Sequence, residues 1–205
     1  MIYYASRTGT RRNLAAFAAH GWRLLVSAAG EWRTEGLRYA VDNGAWSAFT
    51  QGRPFDIDAY RQCVEALGDD ADFVVLPDVV MGGHESLLLS LDHLDWTLAR
   101  TPRALLPVQP GMRSEVVASF LSPRVGVFVG GDDTFKEGTM AEWSALAHAA
   151  GAVCHVGRVN TRRRVRLCMA AKVDSADGSS GSRFAVNVPK IDGWRRQTSL
   201  LAEIA

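Results

Sequence analysis

The chain has 205 residues, of which 47% are hydrophobic and 22% are charged, a composition typical of one soluble globular domain with a sizeable core. Its net charge of +1 excludes a polycationic molecule, so a nucleic acid could bind only at a local basic patch. No apolar stretch approaches the ~20 residues of a membrane span, and the N-terminus lacks the ordered regions of a signal peptide. We therefore expect no membrane partner and a cytoplasmic location.

Eight short apolar segments are predicted strands, and helical patterns lie between most of them. The strands span roughly residues 2–5, 23–28, 38–42, 73–77, 104–108, 125–130, 152–156 and 172–176. Apolar residues at helical spacing predict helices over roughly residues 11–20, 56–67, 84–100, 113–121, 137–150 and 160–171. Alternation of strand and helix is typical of a parallel sheet, and eight strands favour a closed barrel over an open sheet.

The predicted fold is therefore α/β, a compact (β/α)8 TIM-type barrel in a single domain over residues 1–205. A chain of this length is at the small end for that barrel, so its connections must be short. The link over residues 29–37 is too short and polar for a full helix, which predicts a barrel that is trimmed and irregular in places. A brief Gly/Ser loop follows at residues 179–182, and a last helix is possible after Phe184.

Six of the apolar segments end in a short polar cluster. Parallel strands buried on both faces form continuous apolar runs, and in an α/β barrel the active site lies where the strands end. The clusters therefore predict one active site assembled from distant segments. Their polar residues include Asp42, Asp78, Gln109, the Gly130-Gly131 pair, His155, Asp174 and Asp177.

Asp42, Asp174 and Asp177 are candidate catalytic carboxylates. Two carboxylates that face one substrate can divide the work, because one attacks an electrophilic sugar carbon while the other moves protons. Glycosyl chemistry needs such a pair, since its transition state resembles an oxocarbenium ion. The alternative is that these aspartates cap helices or bind loop amides.

Asp78, Gln109 and the Gly130-Gly131 pair are candidate base-binding residues. A carboxylate accepts hydrogen bonds from the N–H edge of a purine, and an amide both donates and accepts. Glycines leave the backbone bare, so that a flat ligand approaches closely. The alternatives are a helix cap for Asp78, a satisfied buried amide for Gln109 and a simple turn for the glycines.

Aromatic and basic residues surround these clusters. Trp46 and Phe49 could stack on a base, or they could belong to the core. His155 could ligate a metal or act as a base, but we favour an orienting or satisfied-core role. An arginine cluster could hold phosphates, or it could be a solvated helix face. Its members are Arg158, Arg162, Arg163, Arg164 and Arg166.

Five segments, in order along the chain, resemble the tRNA-guanine transglycosylases. The segment from Val41 to Trp46 looks like their Asp-Ser-Gly-Gly-Phe segment, and Pro77-Asp78 resembles their purine-reading aspartate. The segments 107–111 and 129–131 are similar to their Val-Gln-Gly and Ala-Val-Gly segments. The segment 173–178 matches the spacing of their Val-Asp-Met-Phe-Asp-Cys segment. The closest resemblance is to the small phage and bacterial members that exchange guanine in DNA for a 7-deazaguanine.

The resemblance implies a role for each matched position. Asp177 would be the nucleophile that takes the sugar, with Asp174 as the competing candidate, and Asp42 would be the general acid/base. Asp78, Gln109 and the backbone of Gly130 would recognise the guanine-like base. The arginines, of which Arg158, Arg162, Arg163 and Arg166 are the candidates, would hold the nucleic-acid backbone.

Two departures from the family pattern bear on the substrate. Asn43 and Ala45 replace small or glycine residues of the pattern and would reshape the base pocket. The family's zinc site, a cysteine cluster with a histidine, is missing from a sequence whose three cysteines form no Cys-X-X-Cys pair. Because the resemblance ties that zinc region to tRNA binding, its absence favours DNA over RNA.

The predicted function is thus that of a pentosyltransferase that exchanges guanine in DNA for a 7-deazaguanine such as preQ0, through a covalent aspartyl-glycosyl intermediate. The expected partners are DNA, with RNA as the alternative, and the free 7-deazaguanine base. We expect no cofactor and no metal. The alternatives are a tRNA-guanine transglycosylase, a nucleoside or glycoside hydrolase on the same barrel, and a catalytically silent binder of nucleobases or nucleic acid.

Overall fold

Eight parallel strands close into a barrel in chain order in a computed structural model of the protein, which describes residues 1–197. The first strand, β1, pairs with β2 on one side and with β8 on the other, where Tyr4 lies opposite Asp177. The predicted (β/α)8 TIM-type barrel is confirmed. Its strands are β1 Ile2–Ser6, β2 Arg23–Ser27, β3 Tyr39–Asp42, β4 Val74–Val75, β5 Ala104–Val108, β6 Val125–Val129, β7 Cys154–Val156 and β8 Ser175–Gly178.

Helices surround the barrel, and each of the six predicted helices is present with adjusted ends. The predicted helix over residues 84–100 is split at His93, and α7 begins at Asp133 because the side chain of Asp132 accepts a hydrogen bond from Phe135 N at 2.8 Å. The helices are α1 Arg11–Ala19, α2 Ala45–Thr50, α3 Ile57–Leu67, α4 His84–Asp92, α5 Leu94–Leu98, α6 Ser114–Ala118, α7 Asp133–Ala149, α8 Arg162–Ala170, α9 Ser180–Arg183 and α10 Val188–Arg196.

The barrel is irregular where the sequence suggests it. No helix forms between β2 and β3, which confirms the trimmed link over residues 29–37. The short helix α2 instead follows β3 directly, after Gly44 turns the chain with a φ of 84°. Residues 180–183 form the helix α9 rather than the predicted Gly/Ser loop, and α10 supplies the last helix after Phe184.

The eighth strand begins three residues later than predicted, and this displacement moves Asp174. Lys172 and Val173 close the end of α8, because Val173 N donates to Cys168 O at 3.0 Å and Lys172 N donates to Met169 O at 3.1 Å. Asp174 therefore precedes β8 and lies at the amino end of the strand. Asp177, three residues further on, lies near its carboxyl end.

Side chains fill the interior of the barrel at its amino-terminal end. Alternate strand residues point inward, and those from five strands pack as one cluster together with Phe73, which directly precedes β4: Tyr4, Leu25, Ala40, Val75 and Leu105. Below this cluster, Tyr4 Oη donates to Asp72 Oδ2 at 2.9 Å and Arg23 Nη1 pairs with the same oxygen at 2.8 Å. This packing fills the amino-terminal half of the barrel interior. None of the helices within residues 1–197 has the length and apolar character to cross a bilayer.

Candidate active site

A cavity of about 470 Å³, open in part to solvent, lies over the carboxyl ends of strands β3 to β7. Five of the six predicted site segments meet there, as expected for an α/β barrel. Its polar lining comes from Asp42, Asn43, Asp78, Gln109, Lys136 and Arg158, and its remaining walls include Trp46, Phe128, Gly130, Gly131 and Gly157.

A second cavity of about 840 Å³ adjoins the first and includes Asp177 in its lining. The two cavities share Asp42, Trp46 and Phe128, so these residues stand at the boundary between them. Asp42 is on β3 and Asp177 is on β8, and the strands β1 and β2 lie between these two in the barrel. Both residues nevertheless line this second cavity. The structure thus brings the two predicted carboxylates together.

Asp42 is the last residue of β3, and its carboxyl group has a raised pKa. Removal from water raises the pKa of this carboxyl from its usual 3.8 to about 7, and repulsion by Asp177 adds to the rise. Gly44 N donates to its Oδ2 at 3.1 Å and opposes the rise only in part. Near neutral pH, Asp42 is therefore able both to donate and to accept a proton.

Asp177 is 6% exposed, and its neighbours hold it from one side. His155 Nε2 lies 3.1 Å from Asp177 Oδ1, and Arg158 N donates to the same oxygen at 3.2 Å. His155 Nδ1 lies 2.8 Å from Ser175 Oγ, so an ionised Asp177 requires the proton on Nε2 and leaves Nδ1 to accept from the serine. His155 is fully buried and stacks on Phe128, in agreement with the predicted orienting role.

Asp78, Asn43 and Gln109 form a buried hydrogen-bonded group at the floor of the first cavity. Asn43 Nδ2 donates to Asp78 Oδ1 at 2.8 Å, and Gln109 Nε2 donates to Asp78 Oδ2 at 2.5 Å. Burial raises the pKa of Asp78, and the two amide donors oppose that rise. Asp78 is thus not a helix cap, because its carboxylate is fixed by the side chains that directly follow β3 and β5. Asn43 enters the site as an orienting residue, a role its sequence position did not indicate.

Gly130 and Gly131 allow the cavity wall to lie close to this group. A Cβ at Gly130 would come within 2.8 Å of Gln109 Nε2. Gly131 has a φ of 71°, and a Cβ there would meet Pro110 Cδ at 2.8 Å and Phe135 Cδ1 at 2.9 Å. Both positions therefore exclude larger residues for steric reasons.

Lys136 is a site residue that no pattern in the sequence indicated. Its side chain is 1% exposed and lines the first cavity, where Nζ donates to Gly157 O at 3.1 Å and pairs with Asp133 Oδ1 at 3.2 Å. Burial lowers the pKa of this amine, and the nearby Arg158 lowers it further. The sequence predicts a helix that begins at residue 137, which would leave this lysine in the loop before it. A start at Asp133 places it in the first turn of α7, above the strand ends.

Arg158 and Trp46 form the upper wall between the cavities. The Arg158 guanidinium lies over the Trp46 ring, 3.7 Å from its centroid, and also donates to Gly131 O. A cation over an indole face is favourable, and here it covers one face of the ring that could have stacked on a base. Phe49 is 55% exposed and lines neither cavity, so neither aromatic residue belongs to the core.

The other arginines lie outside the cavities on the surface of α8. Arg162, Arg163 and Arg166 line a shallow depression there with Leu167 and Ala170. Arg163 pairs with Glu137 at 2.8 Å but keeps 77% of its side chain exposed. Arg164 faces inward instead, where it pairs with Asp133 and with Glu137 Oε1 at 3.0 Å. The predicted cluster is therefore divided between the wall of the cavity, at Arg158, and the surface.

The prediction that Asp174 belongs to the site is wrong, because this residue lies at the opposite end of β8. Asp174 Oδ2 accepts a hydrogen bond from Cys154 N at 2.8 Å and lies 2.9 Å from His148 Nε2, at the end of α7. Its side chain links the beginning of β7 to a helix terminus. It has a structural role that is separate from both cavities.

Comparisons with known proteins identify the fold of this protein but not its family or its function. The protein is similar to the crystal structure of RipC from Yersinia pestis, with a TM-score of 0.55 and 13% sequence identity over 100% of this chain and 98% of that chain. At that identity the similarity shows the barrel alone. No protein-family model and no curated protein matches the sequence. Within residues 1–197, no three side chains of metal-ligating type are grouped closely enough to hold an ion.

Proposed function

We propose that the protein is a transglycosylase that exchanges guanine in DNA for a free 7-deazaguanine. The observation that carries the proposal is the convergence of Asp42 and Asp177 on one cavity, beside a second cavity with a fixed carboxylate and amide at its floor. This arrangement supports the division of work that glycosyl transfer requires. The resemblance of five ordered segments to the guanine transglycosylases supports it independently.

Asp177 is the nucleophile in this proposal. Within residues 1–197, the hydrogen bonds to its carboxylate come from His155 and Arg158 and go to Oδ1, so we assign the attack to Oδ2. A bond forms between Oδ2 and C1′ of the nucleotide while the bond from C1′ to the base breaks. The electron pair of that bond leaves with guanine. A 7-deazaguanine then attacks C1′ and releases Asp177, so the carboxylate is regenerated.

Asp42 transfers the proton that balances each half of the exchange. With a pKa of about 7, a large share of the molecules holds Asp42 protonated at neutral pH. A raised pKa on one of two carboxyl groups in a site suits that group to the acid role. Asp42 gives its proton to the departing guanine and takes one back from the entering base.

The first cavity holds the base. Guanine presents N–H donors at N1 and at its 2-amino group, and Asp78 is the acceptor for that edge. Asn43 and Gln109 fix the orientation of this carboxylate, and Gly130 lets the flat base approach. A base inside a duplex cannot reach such a cavity, so the nucleotide must leave the stack.

A guanine-exchange assay on two aspartate variants tests the proposal. We expect Asp177→Asn to lower incorporation of labelled guanine into DNA at least ~1,000-fold, because the nucleophile is lost. Asp174→Asn is the matched control: it weakens a hydrogen bond at the far end of β8, so activity stays within about twofold while stability falls by about 1 kcal/mol. Full activity of Asp177→Asn would refute the assignment.

Nucleoside mass spectrometry of DNA co-expressed with the protein and a supply of 7-deazaguanine tests the reaction itself. Deazaguanine nucleosides in that DNA support exchange. Free guanine with no incorporated deazapurine indicates that water resolves the intermediate, which would make the protein a hydrolase. Unchanged DNA, together with unchanged RNA from the same cells, would contradict the proposal.

A further inference from the structure

The two sides of the first cavity carry opposite charge. Asp42 and Asp78 lie on the side of β3 and β4, whereas Lys136 and Arg158 lie on the side of β6 and β7. A ligand that fills this cavity is therefore oriented by its own polarity. Its hydrogen-bond donors face the carboxylates, and its acceptors face the cations.

Lys136 has hydrogen-bonding capacity left for a ligand. An ammonium group has three donors, and the described residues occupy two of them: Gly157 O at 3.1 Å and Asp133 Oδ1 at 3.2 Å. The side chain is 1% exposed and lines the cavity, so solvent has little access to the third donor. Burying a donor without a partner is costly, and a bound acceptor removes that cost.

A guanine-like base matches this polarity. Its N1 and 2-amino donors point along one edge, while O6 and the substituent at position 7 lie along the other. With the donor edge on Asp78, position 7 is directed to the side of Lys136 and Arg158. We propose that these two cations select the 7-substituent of the entering base. This inference rests on the proposed function.

An uncharged acceptor at position 7, such as a nitrile or a carboxamide, accepts a hydrogen bond from the third Lys136 donor. An aminomethyl group at that position is protonated at neutral pH and meets a like charge in a site of low dielectric. Specificity of this kind combines an attraction to one ligand with a repulsion of its competitor. Lys136 and Arg158 thereby exclude bases that carry a cation.

Calorimetric binding of three free bases to the whole protein tests the inference. The probes are guanine, 7-cyano-7-deazaguanine and 7-aminomethyl-7-deazaguanine. We expect the cyano base to bind at least tenfold more tightly than the aminomethyl base. In Lys136→Met that ratio falls to within about threefold of unity. The exposed Lys190, on α10, is the matched control, and Lys190→Met keeps the wild-type ratio.

A second variant tests the same inference by strengthening the positive charge of Lys136 instead of removing it. Asp133 has 56% of its side chain exposed and neutralises Lys136, while the α7 cap is supplied by Asp132. Asp133→Asn therefore keeps the helix and raises the cyano-to-aminomethyl ratio. This variant decides the question if Lys136→Met does not fold, since an unchanged or lower ratio would overturn the inference.

The outcomes separate this inference from the proposed function. Equal binding of the cyano and aminomethyl bases to the wild type, or an unchanged ratio in Lys136→Met, overturns the charge selection and leaves base exchange standing. Discrimination in binding without any exchange into DNA supports the selection and overturns the exchange reaction. Failure of all three bases to bind overturns both.

Discussion

Asp42 combines the acid/base role that we propose for it with a cost in stability. Its pKa is higher in the folded protein than in the unfolded chain, so folding favours the protonated form. Stability is therefore greatest below about pH 4 as far as this group is concerned, and it falls as the pH rises from about 4 to 7. Each unit of pKa difference corresponds to about 1.4 kcal/mol, so the ionised carboxylate costs on the order of a few kcal/mol at pH 8.

We expect Asp42→Asn to raise the melting temperature by several degrees at pH 8, because the amide cannot ionise. The gain should shrink at pH 5, where the wild-type carboxyl is already protonated. Thermal denaturation at both pH values measures this, with Glu142→Gln on the exposed face of α7 as the neutral control. An equal gain at the two pH values would contradict the raised pKa.

At the scale of elements, the segment between β6 and α7 determines how closely the cavity wall packs. Gly131 turns the chain with a positive φ, Asp132 caps α7, and Lys136 follows within the first turn of the helix. The helix thereby begins directly above the strand end. Lys136 comes about one turn after the start of the helix, and its side chain lines the cavity.

Two glycine variants distinguish the turn from the helix. Gly131→Ala should destabilise the protein by about 1–3 kcal/mol, since alanine disfavours this φ and its Cβ meets Pro110 and Phe135. Gly138→Ala, in the exposed interior of α7 with open space around it, should stabilise the protein by about 0.5–1 kcal/mol. Urea denaturation measures both. Destabilisation by the second variant would contradict the open surroundings of Gly138.

At the scale of the whole molecule, charge is separated although the net charge is only +1. At the amino-terminal end of the barrel, Asp72 pairs with both Arg23 and Arg38, while exposed guanidinium groups lie on α8. Because α8 begins at the rim of the site, its arginines are the ones placed to hold a polyanion there. The DNA binding that we propose should therefore depend on these few groups rather than on the overall charge.

We expect the double variant Arg162→Gln/Arg163→Gln to weaken binding of single-stranded DNA and to reduce its salt dependence. Each lost phosphate contact lowers the slope of log K against log salt by about 0.7 for a single strand, so two contacts lower it by about 1.4. Fluorescence anisotropy over a salt series measures the slope. Arg61→Gln/Lys172→Gln removes the same charge elsewhere and should leave the slope unchanged, and an equal effect of both pairs would argue against an α8 interface.

Much of the architecture could be predicted from the chain alone. Continuous apolar runs alternating with helical periodicity indicate parallel strands, because only such strands are buried on both faces. The polar residues that end those runs predicted where Asp42, Asp78, Gln109 and Gly130 would lie. The missed helix α2 and the shifted α7 show the limit, since local capping by Gly44 and Asp132 determines where a helix begins.

The sequence by itself determined the number and order of the strands and the chemical character of their ends. Only the tertiary structure decided which of Asp174 and Asp177 faces the cavity, because Val173 is equally compatible with a strand and with the end of α8. It also decided that Lys136 is buried and that Arg158 covers Trp46. These features depend on barrel closure, which brings residues distant in the chain to one rim and directs alternate side chains inward.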